Sequence, residues 1–309
     1  MTTPSLGGLL SDASEASEHL PRVAGRFDGD HVLAPLLTAA RPTVTDQLTV
    51  ATTLANVSDA SLSLVTPVAY PDQMAPVCHQ NAGEMDESAL LEWALTRTEE
   101  SEVYTERGLL YTRDLVRRVL RTVRANDVDT LVLPSGAHVS RLRKGLLDQI
   151  AAQAACDVVV VNGQSGYDSV TSILLPVAGG PHSGLAADLA RSIAVDCDAW
   201  VDVLHVVDAA ASERERQAAQ TLVGDIATRI GRPDTTTTWV LEERRTAQAI
   251  AEQSRYYDLT VIGAPTKGRL RRLLYGSTNR SVRDKARSVV LSARSNSHRP
   301  SDTVSTPES

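Results

Sequence analysis

The residues of this 309-residue chain with the clearest chemical pattern lie near its carboxyl end, in Gly263-Ala-Pro-Thr266-Lys-Gly268-Arg-Leu-Arg-Arg-Leu-Leu-Tyr-Gly276-Ser277. Glycines let a backbone approach a ligand with no Cβ in between. Gly276-Ser277 stands where a helix can begin. There, backbone N–H groups and the Ser277 hydroxyl can cradle a phosphate, helped by the helix dipole. The same residues also suit a glycine-rich turn with Ser277 as an ordinary N-cap, and the residues alone leave both readings open. Segment 264–294 carries nine Lys or Arg against one acid, Asp284. This is either an electropositive mouth that attracts phosphates or a solvated arginine-rich helix face.

Other chemistry is thin. Cys78, Cys156 and Cys197 share no metal-like spacing, and the Cys78-His79 pair is not followed by CxxC or HxxxH, so no metal site is expected. His205 sits inside an apolar strand and reads as a satisfied core residue rather than a general base. Asp202 and Asp208, near the ends of that strand, read as solvated. There is no GxSxG, HExxH or Walker motif, and Arg269-Leu270 follows the pair Gly263–Gly268. A chemical step is therefore not expected, and the chain does not read as an enzyme. Net charge of −7 and a pI of about 5.5 argue against a nucleic-acid partner. No apolar run approaches the roughly 18–20 residues of a membrane helix, and Met1–Glu18 lacks the features of a secretory signal. A cytoplasmic protein with no membrane insertion is expected.

These residues must be positioned by elements that the hydrophobic pattern supplies. Hydrophobic residues make up 42% of the chain and aromatics 4%, a balance suited to helices packed on parallel strands rather than to a β-sandwich. The chain repeats itself. His31-Val-Leu-Ala-Pro35-Leu-Leu and Ser172-Ile-Leu-Leu-Pro176-Val each open a half. Helices are predicted at 43–56 and 182–196, and second strands at Ser61–Val68 and Trp200–Val207. Helices at 86–100 and 212–230 then lead to third strands at 103–110 and 235–241. Helices 112–126 and 246–256 run into Asp129-Thr-Leu-Val-Leu-Pro134 and Asp258-Leu-Thr-Val-Ile-Gly263. A turn and an Arg-rich helix follow in both, and the last strands close at Ala155–Val161 and Ala286–Ser292. Each half is thus βαβαβαβαβ, which predicts an α/β protein of two tandem five-stranded parallel sheets with helices on both faces. Residues 1–30 and 295–309 read as disordered tails, 31–162 and 170–294 as the two domains, and 163–169 as a linker. The first half alone carries an extended loop, Tyr70–Met85, whose role the sequence leaves open.

In an open parallel sheet, ligands bind beyond the carboxyl ends of the strands, which is where Gly263–Ser277 lies. That segment resembles the universal stress protein family, whose nucleotide-binding members carry G-x2-G-x9-G-[ST] after the fourth strand. Gly263, Gly276 and Ser277 match, while Thr266 stands where the second glycine should be and Gly268 lies two residues on. The resemblance implies an adenine-nucleotide α-hydrolase-like fold, ATP or AMP binding in some members, adenine near Val206, and pairing through the last strand. It also implies an acid after the first strand, where this chain has Val177-Ala178. In the first half Pro134 replaces the first glycine, Gly145 matches Gly276, and Leu146 replaces Ser277. This half is expected to be degenerate and structural. The expected role is a nucleotide-responsive regulatory protein. The competing one is an interaction module that needs no nucleotide and acts on a protein partner such as a transporter, with a nucleotide-using enzyme behind both. The apolar edges Val158–Val161 and Val289–Ser292 are expected to pair as an internal pseudo-dimer.

Overall fold

A computed structural model describes residues 30–69, 87–99, 101, 103–135, 141–163, 170–179, 181–264 and 289–296. The first half runs β1 (His31–Pro35), α1 (Arg41–Ser58), β2 (Ser61–Ala69), α2 (Glu87–Glu99), β3 (Thr105–Thr112), α3 (Leu115–Ala125), β4 (Thr130–Ser135), α4 (Arg141–Gln153) and β5 (Asp157–Asn162). The second runs β6 (Ser172–Pro176), α5 (Pro181–Asp196), β7 (Trp200–Val207), α6 (Glu213–Ile230), β8 (Thr236–Glu242), α7 (Thr246–Gln253), β9 (Leu259–Gly263) and β10 (Val289–Arg294).

All ten strands form one sheet in the order β3-β2-β1-β4-β5-β10-β9-β6-β7-β8. Every neighbouring pair is parallel except β5 and β10, which run antiparallel from Val290 opposite Asn162 to Arg294 opposite Val158. The two last strands therefore cover each other's edges, and the two parallel units become a single sheet about this seam. The strand order reverses around β1 and around β6. Each of these strands pairs with its fourth-strand neighbour over only two residue pairs, Val32–Thr130 and Leu33–Leu131 in one half, Ile173–Leu259 and Leu174–Thr260 in the other. Beyond them the pairing stops, and the place at the carboxyl edge where it stops is the switch-point crevice of each half.

Alternation along the strands decides the cores. Val32, Val132, Val161, Ile173, Val261 and Leu291 face one side and belong to a single apolar core that crosses the seam beneath α1 and α5. Thr53 of α1 donates to Asp196 Oδ2 of α5 at 3.0 Å across that junction. The opposite side carries separate cores, one around Leu33, Leu131 and Ile150, the other around Leu174, Leu204 and Ile250.

The repeat extends to single polar residues. Asp129 Oδ2 accepts from the backbone N–H of Asp30 and His31 at 2.8 and 3.2 Å. Asp258 Oδ2 does the same for Thr171 and Ser172 at 2.9 and 3.1 Å and also accepts from both of their hydroxyls. Burial works against the charge on Asp258, yet these hydrogen bonds hold its carboxyl below the usual range. Asp59 and Asp198, at φ 54° and 50°, turn the chain out of α1 and α5 into the strands that follow. α6 starts on a Ser212–Glu215 capping box and stops at Gly231 in the left-handed conformation.

Candidate functional site

The second-half crevice lies between β6 and β9. Leaving β6, Val177 is buried and held on β7 by two contacts. Its N–H donates to Leu204 O at 2.8 Å, and its carbonyl accepts from His205 Nδ1–H at 2.6 Å. His205 is half-buried and has this bond, so it fixes backbone at the crevice. Ala178 is exposed, and Gly179 turns at φ 78°. α5 then begins at Pro181, with Ser183 Oγ donating to Gly179 O at 3.0 Å. Val206, the next-to-last residue of β7, is 9% exposed. These residues and Gly263 share the carboxyl edge of three adjacent strands.

Gly263 is required by its neighbour. A Cβ there would lie 2.9 Å from the carbonyl carbon and oxygen of His182, which are backbone atoms at the start of α5. Only glycine lets the helix come this close. The His182 ring reaches the residue after β10, where its Nδ1 accepts the Ser295 N–H at 3.1 Å. Burial first, and then the positive charge of Arg294, holds its pKa below the ordinary histidine value despite Asp157. Thr266, Gly268, Gly276 and Ser277, together with most of the basic segment, lie outside the described residues. So do Cys78, His79 and the whole of the 70–85 loop.

The first-half crevice has the same backbone with a different filling. Gln47 of α1 is fully buried and donates its amide to Pro35 O at 3.0 Å and to Val132 O at 2.9 Å. It thereby stitches together β1 and β4 where they part. Counted from the prolines that open the helices, Pro42 and Pro181, the second half has Ala186 at this position. Sequence reasoning passed over Gln47 and His182. The one available signal was the Gln-to-Ala difference at matched helix positions.

The remaining candidates are structural. Tyr257 donates to Asp202 Oδ2 at 2.6 Å, and Thr237 also donates to Asp202. Asp202 is thus engaged on β7, beside Thr237 of β8, rather than freely solvated as expected. Asp208 is exposed and takes the Ala210 N–H. Cys156 is buried and its thiol is pushed up to about 12, chiefly by burial, which makes it a poor nucleophile. A Ser63–His31 pair at 2.7 Å lies at the opposite edge of the sheet, and Ser63 is only 2% exposed. No group of His, Cys, Asp or Glu among the described residues could hold a metal ion. No helix among them is long and apolar enough to cross a membrane.

Residues 170–294 match the family model described as the universal stress protein family. Among curated proteins, none matches the chain. The structure is similar to a functionally unknown protein, PA1789, from Pseudomonas aeruginosa PAO1, with 17% identity, a TM-score of 0.54, and coverage of 87% of this chain and 94% of the other. It is similar to the same extent to a putative universal stress protein from Pseudomonas aeruginosa UCBPP-PA14, covering 88% and 96%. A universal stress protein from Archaeoglobus fulgidus DSM 4304 aligns at 14% identity and a TM-score of 0.53, covering 87% and 97%. At these identities the solved structures speak to the fold, and they do so over both halves.

Proposed function

Residues 170–294 are a universal stress protein domain, and on that premise we propose that the chain binds an adenine nucleotide, ATP or AMP, in its second half only. It does so without a chemical step and as a regulatory element. The observation that carries this reading is the difference between the crevices. The first is closed by the Gln47 amide, whereas the second has Ala186 at the matched position and a glycine, Gly263, at its edge. In this reading the phosphates lie against Gly263, Thr266, Gly268, Gly276 and Ser277, and the base lies near Val206 with Val177 and Ala178 beside the nucleoside. Nucleotide bound there then alters the surface offered to a partner.

Ala178 favours a second reading. It is exposed and apolar where the family resemblance calls for an acid, so a module that acts on a protein partner without nucleotide accounts for its loss. Calorimetric titration of the full chain with ATP and AMP separates the two. One equivalent of nucleotide should bind, and Ser277→Ala should weaken it by about 0.5–1.5 kcal/mol, the net worth of one hydrogen bond. No detectable heat at millimolar nucleotide would overturn the first reading in favour of the second.

A further inference from the structure

His182 joins three parts of the molecule. Its backbone packs on Gly263 at the end of β9. Its ring accepts the N–H of Ser295, the residue that follows β10. The next residue, Asn296, crosses to the first half, where its N–H donates to Asp157 Oδ1 at 3.2 Å and its side-chain amide donates to Ala151 O at 2.9 Å. Arg294 Nε in turn donates to Asn296 Oδ1 at 3.0 Å. The segment after β10 is thus tied to α5 on one side and to α4 and β5 on the other. It closes one end of the seam between the halves.

We propose that His182 is an acid-released latch on this seam. As an acceptor, Nδ1 must be unprotonated, so the neutral ring carries its proton on Nε2. A second proton would go on Nδ1 and set one N–H against another. The Ser295 bond is then lost, and a positive charge appears beside Arg294. Among the described residues, the charged groups that face the ring are Arg294 of β10 and Asp157 of β5. Asp157 favours the protonated ring, while burial and Arg294 oppose it more strongly. A depressed histidine keeps its contribution above the ordinary value of about 6.5 and loses it as pH falls through and below that value. Release of Ser295 loosens Asn296, which rests on the first half. One proton at the edge of the second-half crevice therefore weakens the tie between the halves. The first half has no such device, since Thr43 stands at the matched helix position. The latch needs no nucleotide.

Amide hydrogen exchange of the full chain without ligand, corrected for intrinsic rates, tests this between about pH 8 and pH 5. Protection of the Ser295 and Asn296 amides should fall by about tenfold in the wild type as His182 titrates, the loss of one hydrogen bond. His182→Asn offers an acceptor that does not titrate and should hold protection across the range. His182→Ala should lack it throughout. Equal pH dependence in the wild type and His182→Asn would overturn the proposal. Ring titration of His182 by NMR in the wild type gives a check that needs no variant. A ring that titrates while the Ser295 amide stays protected would also overturn it.

Discussion

In the first half β1 and β4 part after Leu33 and Leu131, and a buried glutamine takes the carbonyls of Pro35 and Val132 that face the gap. In the second half β6 and β9 part after Leu174 and Thr260, and the matched helix position is Ala186. The backbone of the two places is one design used twice, down to Asp129 and Asp258 bracing the strand starts. What differs is the side chain sent into the crevice and the residue at its edge, Pro134 against Gly263. A parallel sheet creates a gap wherever strand order reverses, and the gap must be filled by the protein or left for something else. The first half fills it with its own amide. Among the described residues no such amide enters the second, and the proposed nucleotide site rests on this contrast.

The largest effect should come from removing the close approach that the second half depends on. Gly263→Ala sets a methyl 2.9 Å from His182 backbone atoms, which cannot rotate out of the way. Moving the start of α5 should cost about 3 kcal/mol, the upper end of the usual range for an overfilled site. Urea denaturation measures it. A cost below about 1 kcal/mol would mean that the helix start yields freely and that the edge of this crevice is not rigid.

Next come the helix positions that fill or spare the gap. Gln47→Leu keeps the volume but leaves the carbonyls of Pro35 and Val132 without their donor, for an expected loss of about 2 kcal/mol. The reciprocal change, Ala186→Gln, places an amide in the second crevice. It should leave stability within about 1–3 kcal/mol of wild type and abolish nucleotide binding in calorimetry. Undiminished binding by Ala186→Gln would break the contrast on which the availability of the second crevice rests.

Much of this fold was legible because parallel strands buried on both faces are nearly continuous apolar runs. Val158–Val161 and Trp200–Val207 could hardly be anything else, and Asp129-Thr-Leu-Val recurs as Asp258-Leu-Thr-Val where the two crevice strands begin. The pattern puts β3 at 103–110, two residues before the observed Thr105–Thr112. It is an edge strand, only partly buried, and its alternation is weak. The candidate site was legible only where backbone chemistry needs glycine. Gln47 reaches Val132 across 85 positions of sequence, and His182 reaches Ser295 across 113. Neither spacing leaves a local trace, because a long-range polar contact is set by packing and not by periodicity. Ser295 and Asn296 lie in a stretch whose composition reads as a tail, yet both hold hydrogen bonds to the body.

A smaller effect tests how far the two halves are equivalent. Asp258 braces two backbone N–H groups and two hydroxyls, Asp129 two backbone N–H groups. Asp258→Asn should cost about 1.5 kcal/mol and Asp129→Asn somewhat less, at the scale of hydrogen bonds to a charged acceptor. Because the folded pKa of Asp258 is depressed, its contribution is present above the unfolded value of about 3.9 and is lost as pH falls through the lower folded value. Stability curves of wild type and Asp258→Asn should therefore converge in acid below about pH 4 and separate above it. A gap that stays constant across that window would show that the carboxylate charge is not what braces the strand.

The smallest effect has the opposite sign. Gly145 occupies the place in the first half that Gly276 holds in the second, where glycine spacing defines the candidate phosphate turn. In the first half Gly145 lies inside α4, exposed, and a Cβ there would meet nothing within 4 Å among the described residues. A glycine inside an exposed stretch of helix costs about 0.5–1 kcal/mol relative to alanine, through the backbone freedom it surrenders on folding. If the first half has no ligand for this glycine to approach, nothing offsets that cost, and Gly145→Ala should stabilise the chain by about that amount. Thermal unfolding would show a small rise in Tm with nucleotide binding unchanged. Loss of stability, or a change in nucleotide affinity, would mean that Gly145 still serves a contact in the first half and that its crevice has kept part of the role assigned to the second.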